Sequence, residues 1–305
     1  MTLADVLQTT PWLLTTCVFV LSLLIGSFLN VVIHRLPIML DRQWREHAEE
    51  LLPVEPDSAD RNPAAAAQRY NLLVPRSRCP SCNAQIKAHQ NIPVVSWLLL
   101  GGVCANCKAR ISPRYPIVEL GTAILSAAVA WRFGWHWQTV AALVFTWSLV
   151  ALTVIDLDHQ ILPDALTLPL LWLGLLLSLG WHVALSPPIP VDPRSAIIGG
   201  AAGYLSLWLV YWAFKLATGK EGMGYGDFKL FGAFGAWMGW QMLPLIILLS
   251  AFAGAVIGIA LIVVRGRDRN IPIPFGPYLA AAGWIALMWG PQIVGNYLEM
   301  SGLNR

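Results

Sequence analysis

The stretch Pro11–Ile33, PWLLTTCVFVLSLLIGSFLNVVI, decides the fold. Its 23 residues include no Asp, Glu, Lys, Arg or His. About twenty apolar residues, rising 1.5 Å each as a helix, cross a hydrocarbon core of roughly 30 Å. Residues 1–10 hold Asp5 but no Lys or Arg, and no small-residue cleavage site follows the run. It is therefore expected to persist as a transmembrane helix rather than to be a signal peptide.

Seven more apolar runs follow, at about 117–135, 138–155, 165–185, 196–216, 228–243, 244–264 and 276–298. Arg132 interrupts the second span near its outer end, and the sixth and seventh meet near Pro244. Composition agrees: 56% of the 305 residues are hydrophobic and 12% are charged, about half the charged share of a soluble domain. The mean hydropathy is +0.59. The expected fold is an all-α polytopic membrane protein with about eight transmembrane helices. The expected divisions are a first helix (1–36), a polar loop domain (37–116) and a seven-helix core (117–305). The lipid bilayer is its surroundings, and no nucleic-acid partner is expected.

Lys and Arg set the orientation, because they accumulate in cytoplasmic loops. With eight spans, seventeen of the twenty fall on one side and three (Arg132, Arg194, Arg305) on the other. Long loops weigh little under this rule, but leaving out the long segment still gives six against three. The basic side is expected to be cytoplasmic. Two acidic clusters come out on that face, Asp156-Leu157-Asp158 and the Asp227 of Gly224-Tyr225-Gly226-Asp227.

The polar segment carries Cys79-Pro80-Ser81-Cys82 and Cys104-Ala105-Asn106-Cys107, with 21 residues between the pairs. Two CxxC turns present four thiolates in a tetrahedron, the pattern of a structural zinc site. A cytoplasmic position disfavours disulfides. A redox-active dithiol and unrelated thiols are the alternatives. Bound metal would supply folding energy to a loop too small for its own core. Cys17, inside the first span, reads as a packing residue. Residues 41–60 are acidic, with Leu40, Trp44, His47 and Leu51 at helical spacing. They read as a solvated acidic loop, or as an interfacial helix.

Ionisable groups at the edge of hydrocarbon are costly and mark function. Asp156 is the deepest acid of its cluster; Asp158, two residues on, points to another helical face. Asp164 reads as a helix N-cap. Asp227 reads either as a cap for a helix beginning at Phe228 or as a functional acid, and the flanking glycines favour the second. Together, two close carboxylates share one proton. The ionised one takes a proton from water and the protonated one polarises a peptide carbonyl, so neither a nucleophilic side chain nor a metal is needed. Glu119 reads as a structural hydrogen-bond partner or a substrate-positioning group. His34 and Arg35 read as interfacial anchors, and His136 and His182 fall on the other side. No G-x-S-x-G, H-E-x-x-H, P-loop or G-x-G-x-x-G unit is present.

Five strings together resemble the type IV prepilin peptidases: GSFLNVVIHRLP (26–37), CPSC with CANCKARISPRYPIVEL (79–120), IDLDHQILPD (155–164), GKEGMGYGDFKL (219–230) and PIPFGPYLA (272–280). The resemblance implies catalytic Asp156 and Asp227, in a G-x-G-D arrangement. It implies cleavage of a short basic leader from prepilins or pseudopilins at the cytoplasmic face of the bacterial inner membrane. It implies N-methylation of the new terminus from S-adenosylmethionine, and zinc on Cys79, Cys82, Cys104 and Cys107. The cofactors expected are zinc and S-adenosylmethionine, and the systems served are type IV pili or type II secretion. Three readings compete with this one. They are a related aspartic protease with another substrate, a transporter using the paired aspartates as a proton or cation relay, and a zinc-ribbon scaffold.

Overall fold

A computed structural model of the chain describes residues 2–51, 70–180, 191–265 and 273–302. Among them the secondary structure is helical, with two isolated β-bridges. The helices are α1 (Leu3–Thr9), α2 (Pro11–Leu51), α3 (Val95–Leu99), α4 (Arg114–Phe133), α5 (Trp137–His159), α6 (Asp164–Ser178), α7 (Pro193–Thr218), α8 (Tyr225–Met238), α9 (Leu243–Arg265) and α10 (Gly276–Met300). Each of the eight expected spans corresponds to one helix. Five segments are long and apolar enough to cross a membrane: α2, α4, α5, α7 and Trp240–Val264. The protein is a multi-pass helical membrane protein, and α6 and α8 are its short members.

Two boundaries differ from the sequence reading. The first span was expected to end at Ile33, yet α2 continues unbroken for 41 residues to Leu51, through Pro37. The stripe at Leu40, Trp44 and Leu51 is thus helical, but as a prolongation of the first span rather than a separate interfacial helix. Residues 52–60 of the acidic stretch lie outside the described residues, as does His182. The break between the sixth and seventh spans falls at Gly239, with φ +78, not at Pro244. Pro244 is tolerated in the first turn of α9, where its missing N–H has no intrahelical partner to lose.

The chain forms two compact units, residues 16–127, and residues 1–15 with 128–305. In the larger unit α8 is the central helix. Its residues from Leu230 to Met238 are all buried. Its most extensive partner is α7, where small residues let the backbones meet. A Cβ on Gly199 or Gly235 would run into the other's carbonyl, and one on Gly203 would lie 2.6 Å from the Phe231 carbonyl oxygen. Small-residue stripes are the usual way for membrane helices to approach closely. On another side Trp237 Nε1 donates to the Leu170 carbonyl at 2.8 Å, joining α8 to α6. Phe145 of α5 packs on Phe234 and Trp237, with ring centroids 5.6 and 4.8 Å away. Arg132 Nε reaches the Met288 carbonyl at 3.2 Å, which ties the end of α4 to α10.

In the smaller unit Asn30 Nδ2 donates to the Tyr115 carbonyl at 3.1 Å, joining α2 to the start of α4. Arg35 is not an exposed anchor. It is buried, and its guanidinium donates to the carbonyls of Asn71 at 2.9 Å, Leu72 at 3.3 Å and Pro75 at 2.5 Å. A delocalised fork of five donors suits such a cluster of carbonyls.

Candidate active site and metal centre

Asp156 lies in the last turn of α5, which ends at a left-handed Gln160, φ +55. Asp156 is buried, while Asp158, on another face of the helix, and His159, its last residue, are exposed. Asp227 lies in the first turn of α8 and is buried as well. Asp227 is not the N-cap of a helix beginning at Phe228. The helix begins at Tyr225, Gly224 is the N-cap, and Asp227 is the third helical residue. The Gly224 N–H donates to the Asp227 carboxylate, and the charge of Asp156 acts on that carboxylate. Among the described residues Asp227 Oδ1 is buried without a hydrogen-bond partner. Such an orphan oxygen costs about 1–3 kcal/mol and calls for a functional explanation.

Three segments converge on the pair. The Gly276 N–H, at the start of α10, donates to Asp156. A Cβ on Gly276 would lie 2.5 Å from Asp156 Oδ2 and 3.2 Å from Leu162 Cδ1. A Cβ on Gly226 would lie 2.5 Å from Leu162 Cβ. Leu162 is therefore wedged between the first turns of α8 and α10. The room left by Gly226 is filled by the chain's own Leu162 rather than kept open for a substrate. Asp164 is the first residue of α6 rather than its N-cap, which is Pro163. Its carboxylate takes both hydrogen bonds of Lys229 Nζ, at 2.6 and 2.7 Å. Lys229 stands two residues beyond Asp227. This ion pair between the two acidic strings, 65 positions apart, had no local signal in the sequence.

The segment leading into Gly224 is held by a second polar cluster. Lys215 Nζ donates to Glu221 at 2.8 Å and to the Tyr211 hydroxyl at 3.1 Å. The Tyr211 ring meets Tyr225 and Phe228, with centroids 5.3 and 5.7 Å away.

In the other unit each CxxC pair closes a small turn of the same design. Cys79 N–H donates to the Ala84 carbonyl at 2.9 Å, and Cys104 N–H to that of Ala109 at 2.8 Å. The residue after each second cysteine is left-handed: Asn83 at φ +56 and Lys108 at φ +59. Bridges Arg78–Gln85 and Val103–Arg110 flank the turns. The four Sγ atoms all lie within 4.8 Å of one another, and those of Cys79 and Cys107 are 3.8 Å apart. A tetrahedron with Zn–S bonds of about 2.3 Å has edges of about 3.8 Å, so the four sulfurs fit a metal such as zinc. The Ala84 N–H and the Asn106 amide, the latter at 3.6 Å from Cys82 Sγ, bring the Cys82 thiol down to about 6. Glu119 is buried; its Oε2 accepts from the Val94 N–H at 2.7 Å, and Ser27 adds a hydrogen bond. Both partners lie in its own unit.

The fold and these sites define a multi-pass helical membrane protein with two buried, interacting aspartates and a cluster of four cysteines that could hold a metal such as zinc. Comparison with known proteins narrows the class. A model described as Bacterial Peptidase A24 N-terminal domain matches residues 20–133, and one described as Type IV leader peptidase family matches residues 143–259. The prepilin leader peptidase/N-methyltransferase of Stutzerimonas stutzeri is 53% identical over 304 residues, covering 99% of this chain and 100% of that protein. That of Pseudomonas aeruginosa is 53% identical over 302 residues, 99% of each chain. That of Aeromonas hydrophila is 57% identical over 289 residues, 94% of this chain and 95% of that protein. No solved structure matches. The chain belongs to the type IV leader peptidase family. The transporter alternative finds no support in these comparisons.

Proposed function

We propose that this protein removes the leader peptide of type IV prepilins or type II secretion pseudopilins and then N-methylates the new terminus. Asp156 and Asp227 form the catalytic pair. The observation that carries the peptidase reading is the Asp227 carboxylate, buried with one unpartnered oxygen and within the field of Asp156. Two such acids hold one proton between them at neutral pH. The ionised carboxylate accepts a proton from water as its oxygen bonds to the scissile carbonyl carbon. The protonated one donates to the carbonyl oxygen, giving a neutral gem-diol. As the C–N bond breaks, the proton taken from water passes to the leaving amine, one diol hydroxyl returns its proton to the other carboxylate as the new carboxyl group forms, and the two acids again share one proton. The bias of Lys and Arg toward one set of loops supports a site on the cytoplasmic side of the inner membrane, where a basic leader would be met.

Zinc on Cys79, Cys82, Cys104 and Cys107 would order the loop domain, 37–116; the seven-helix peptidase core is 117–305. Methylation rests on the names of the relatives, with S-adenosylmethionine as donor. The test is to incubate a prepilin-type peptide with the detergent-solubilised protein and with its Asp156→Asn and Asp227→Asn variants. Cleavage is expected from the parent alone, with all three equally folded. Cleavage that survives either substitution overturns the assignment.

A further inference from the structure

We propose that residues 92–99, between the two cysteine pairs, form an apolar ledge that lies in the lipid headgroup boundary on the side where α4 enters the membrane. The segment is two-faced. Inward, Ser96 is buried and its hydroxyl accepts from the Ile92 N–H at 3.0 Å. Trp97 Nε1 donates to the Ile111 carbonyl at 3.2 Å. Outward, Ile92 is 49% exposed, Val95 47%, Leu98 64% and Leu99 82%. Four large apolar side chains on one face of so short a segment are a costly surface in water.

Two observations say what covers that face. The first is depth. Val94 is pinned to Glu119, which stands five residues inside α4, about 7.5 Å from its first residue. Helix α4 is long and apolar enough to cross the membrane, and Ile117, Leu120 and Ile124 around Glu119 are exposed apolar residues. The ledge therefore starts level with the second turn of a spanning helix. The pin holds an unusual backbone. Val94 has φ +59 and ψ −50, and the Val95 N–H donates to the Pro93 carbonyl at 2.5 Å. This is a three-residue turn that is rare and strained, more so for a β-branched residue. The strained turn directs the chain from the α4 contact straight into Val95–Leu99.

The second observation is charge. Residues 70–118 carry six Lys and Arg (Arg76, Arg78, Lys87, Lys108, Arg110 and Arg114) and no Asp or Glu. An apolar face in a segment whose charged residues are all cations is the pattern of a surface that binds anionic lipid. A protein partner of that patch would need an acidic rim with an apolar centre, whereas the bilayer offers both to a segment already held at its level.

A fluorescent amino acid placed at Leu99, and separately at Leu98, tests this in the full-length metal-loaded protein. The protein is reconstituted in vesicles of phosphatidylethanolamine and phosphatidylglycerol. A probe at Glu46, on the exposed tail of α2, is the reference. Nitroxide-labelled lipid should quench the Leu98 and Leu99 probes strongly and the reference weakly. Aqueous acrylamide should quench them several-fold less than the reference. Equal acrylamide quenching at all three sites, with no lipid quenching, overturns the proposal. So does protection that disappears on dilution of protein into excess lipid, which would make a second copy the occupant. None of these readouts depends on peptidase or methyltransferase activity.

Discussion

Gly276 holds Asp156 from directly above. Its N–H donates to the carboxylate, and an added Cβ would stand 2.5 Å from Asp156 Oδ2. The methyl group of Gly276→Ala has to displace either the carboxylate or the start of α10. A reacting group misplaced by about 1 Å costs on the order of a hundredfold in rate. Gly276→Ala is thus expected to lower kcat for prepilin cleavage by about one to two orders of magnitude. Peptide kinetics on the purified variant, with helicity and melting checked alongside, measure this. Unchanged kcat would show that Asp156 tolerates the shift.

Lys229 and Asp164 make a different kind of support. The pair spans the string that carries Asp227 and the one that follows Asp156, with both Nζ–O distances under 2.8 Å. The side chains are 26% and 57% exposed, so the pair should add no more than about 1 kcal/mol to stability. Lys229→Met is expected to lower kcat several-fold with KM and melting nearly unchanged. The exchanged pair Lys229→Asp with Asp164→Lys should recover part of the loss. A drop in KM alone, or no recovery, would count against a positioning role.

The two glycines of the G-x-G-D string are expected to differ in tolerance. A Cβ on Gly224 would meet Asp227 Oδ2 at an ordinary 3.6 Å, whereas one on Gly226 would sit 2.5 Å from Leu162 Cβ. Gly226→Ala should cost about 1–3 kcal/mol as an overpacked site and lose cleavage with it. Gly224→Ala should keep its melting point. Thermal melts of both variants, scored with cleavage, separate this from substrate clearance, in which Gly226→Ala would lose activity at full stability.

These contacts mark the limit of what the sequence made legible. Apolar runs located the eight helices α2 and α4–α10, because hydrocarbon demands long uncharged stretches. They could not show where α2 stops, since residues 34–51 form helix without needing apolar side chains. Charge counting put Asp156 and Asp227 on one face, and the CxxC spacing gave the four sulfurs. Arg35 was read as an anchor and Asp164 as a cap because both are common local roles. Their actual partners, the 71–75 carbonyls and Lys229, come from segments 36 to 65 positions away. The Glu119–Val94 bond was equally unreadable, since nothing local marks a backbone N–H that a distant acid will hold.

The proposed zinc site has a support that can be removed without touching a ligand. Asn106 donates to Cys82 Sγ at 3.6 Å, and such partners of metal ligands are worth about 10–100-fold in affinity. Asn106→Ala should weaken zinc binding by about tenfold in competition with a chelating dye. Stripping the metal is expected to disorder the loop and to reduce methylation more than cleavage. Equal loss of both activities would give the loop a general structural role instead.

The acidic tail of α2 offers a test of leader recognition. Asp41, Glu46, Glu49 and Glu50 project from helical residues that are exposed throughout, and Asp41 pairs with Arg45 at 2.9 Å. A basic leader would be drawn by the net negative charge. Exposed charges act over a Debye length of about 10 Å at 0.1 M salt and about 3 Å at 1 M. Replacing Glu46, Glu49 and Glu50 with Gln should therefore raise KM for a basic-leader peptide several-fold at low salt. Near 1 M salt the gap between variant and parent should close. The kcat should stay level, because a long-range attraction acts on capture of the leader and not on the chemical step. A KM equal to the parent's at both salt concentrations would leave the tail as a solvated helix end with no part in binding the leader.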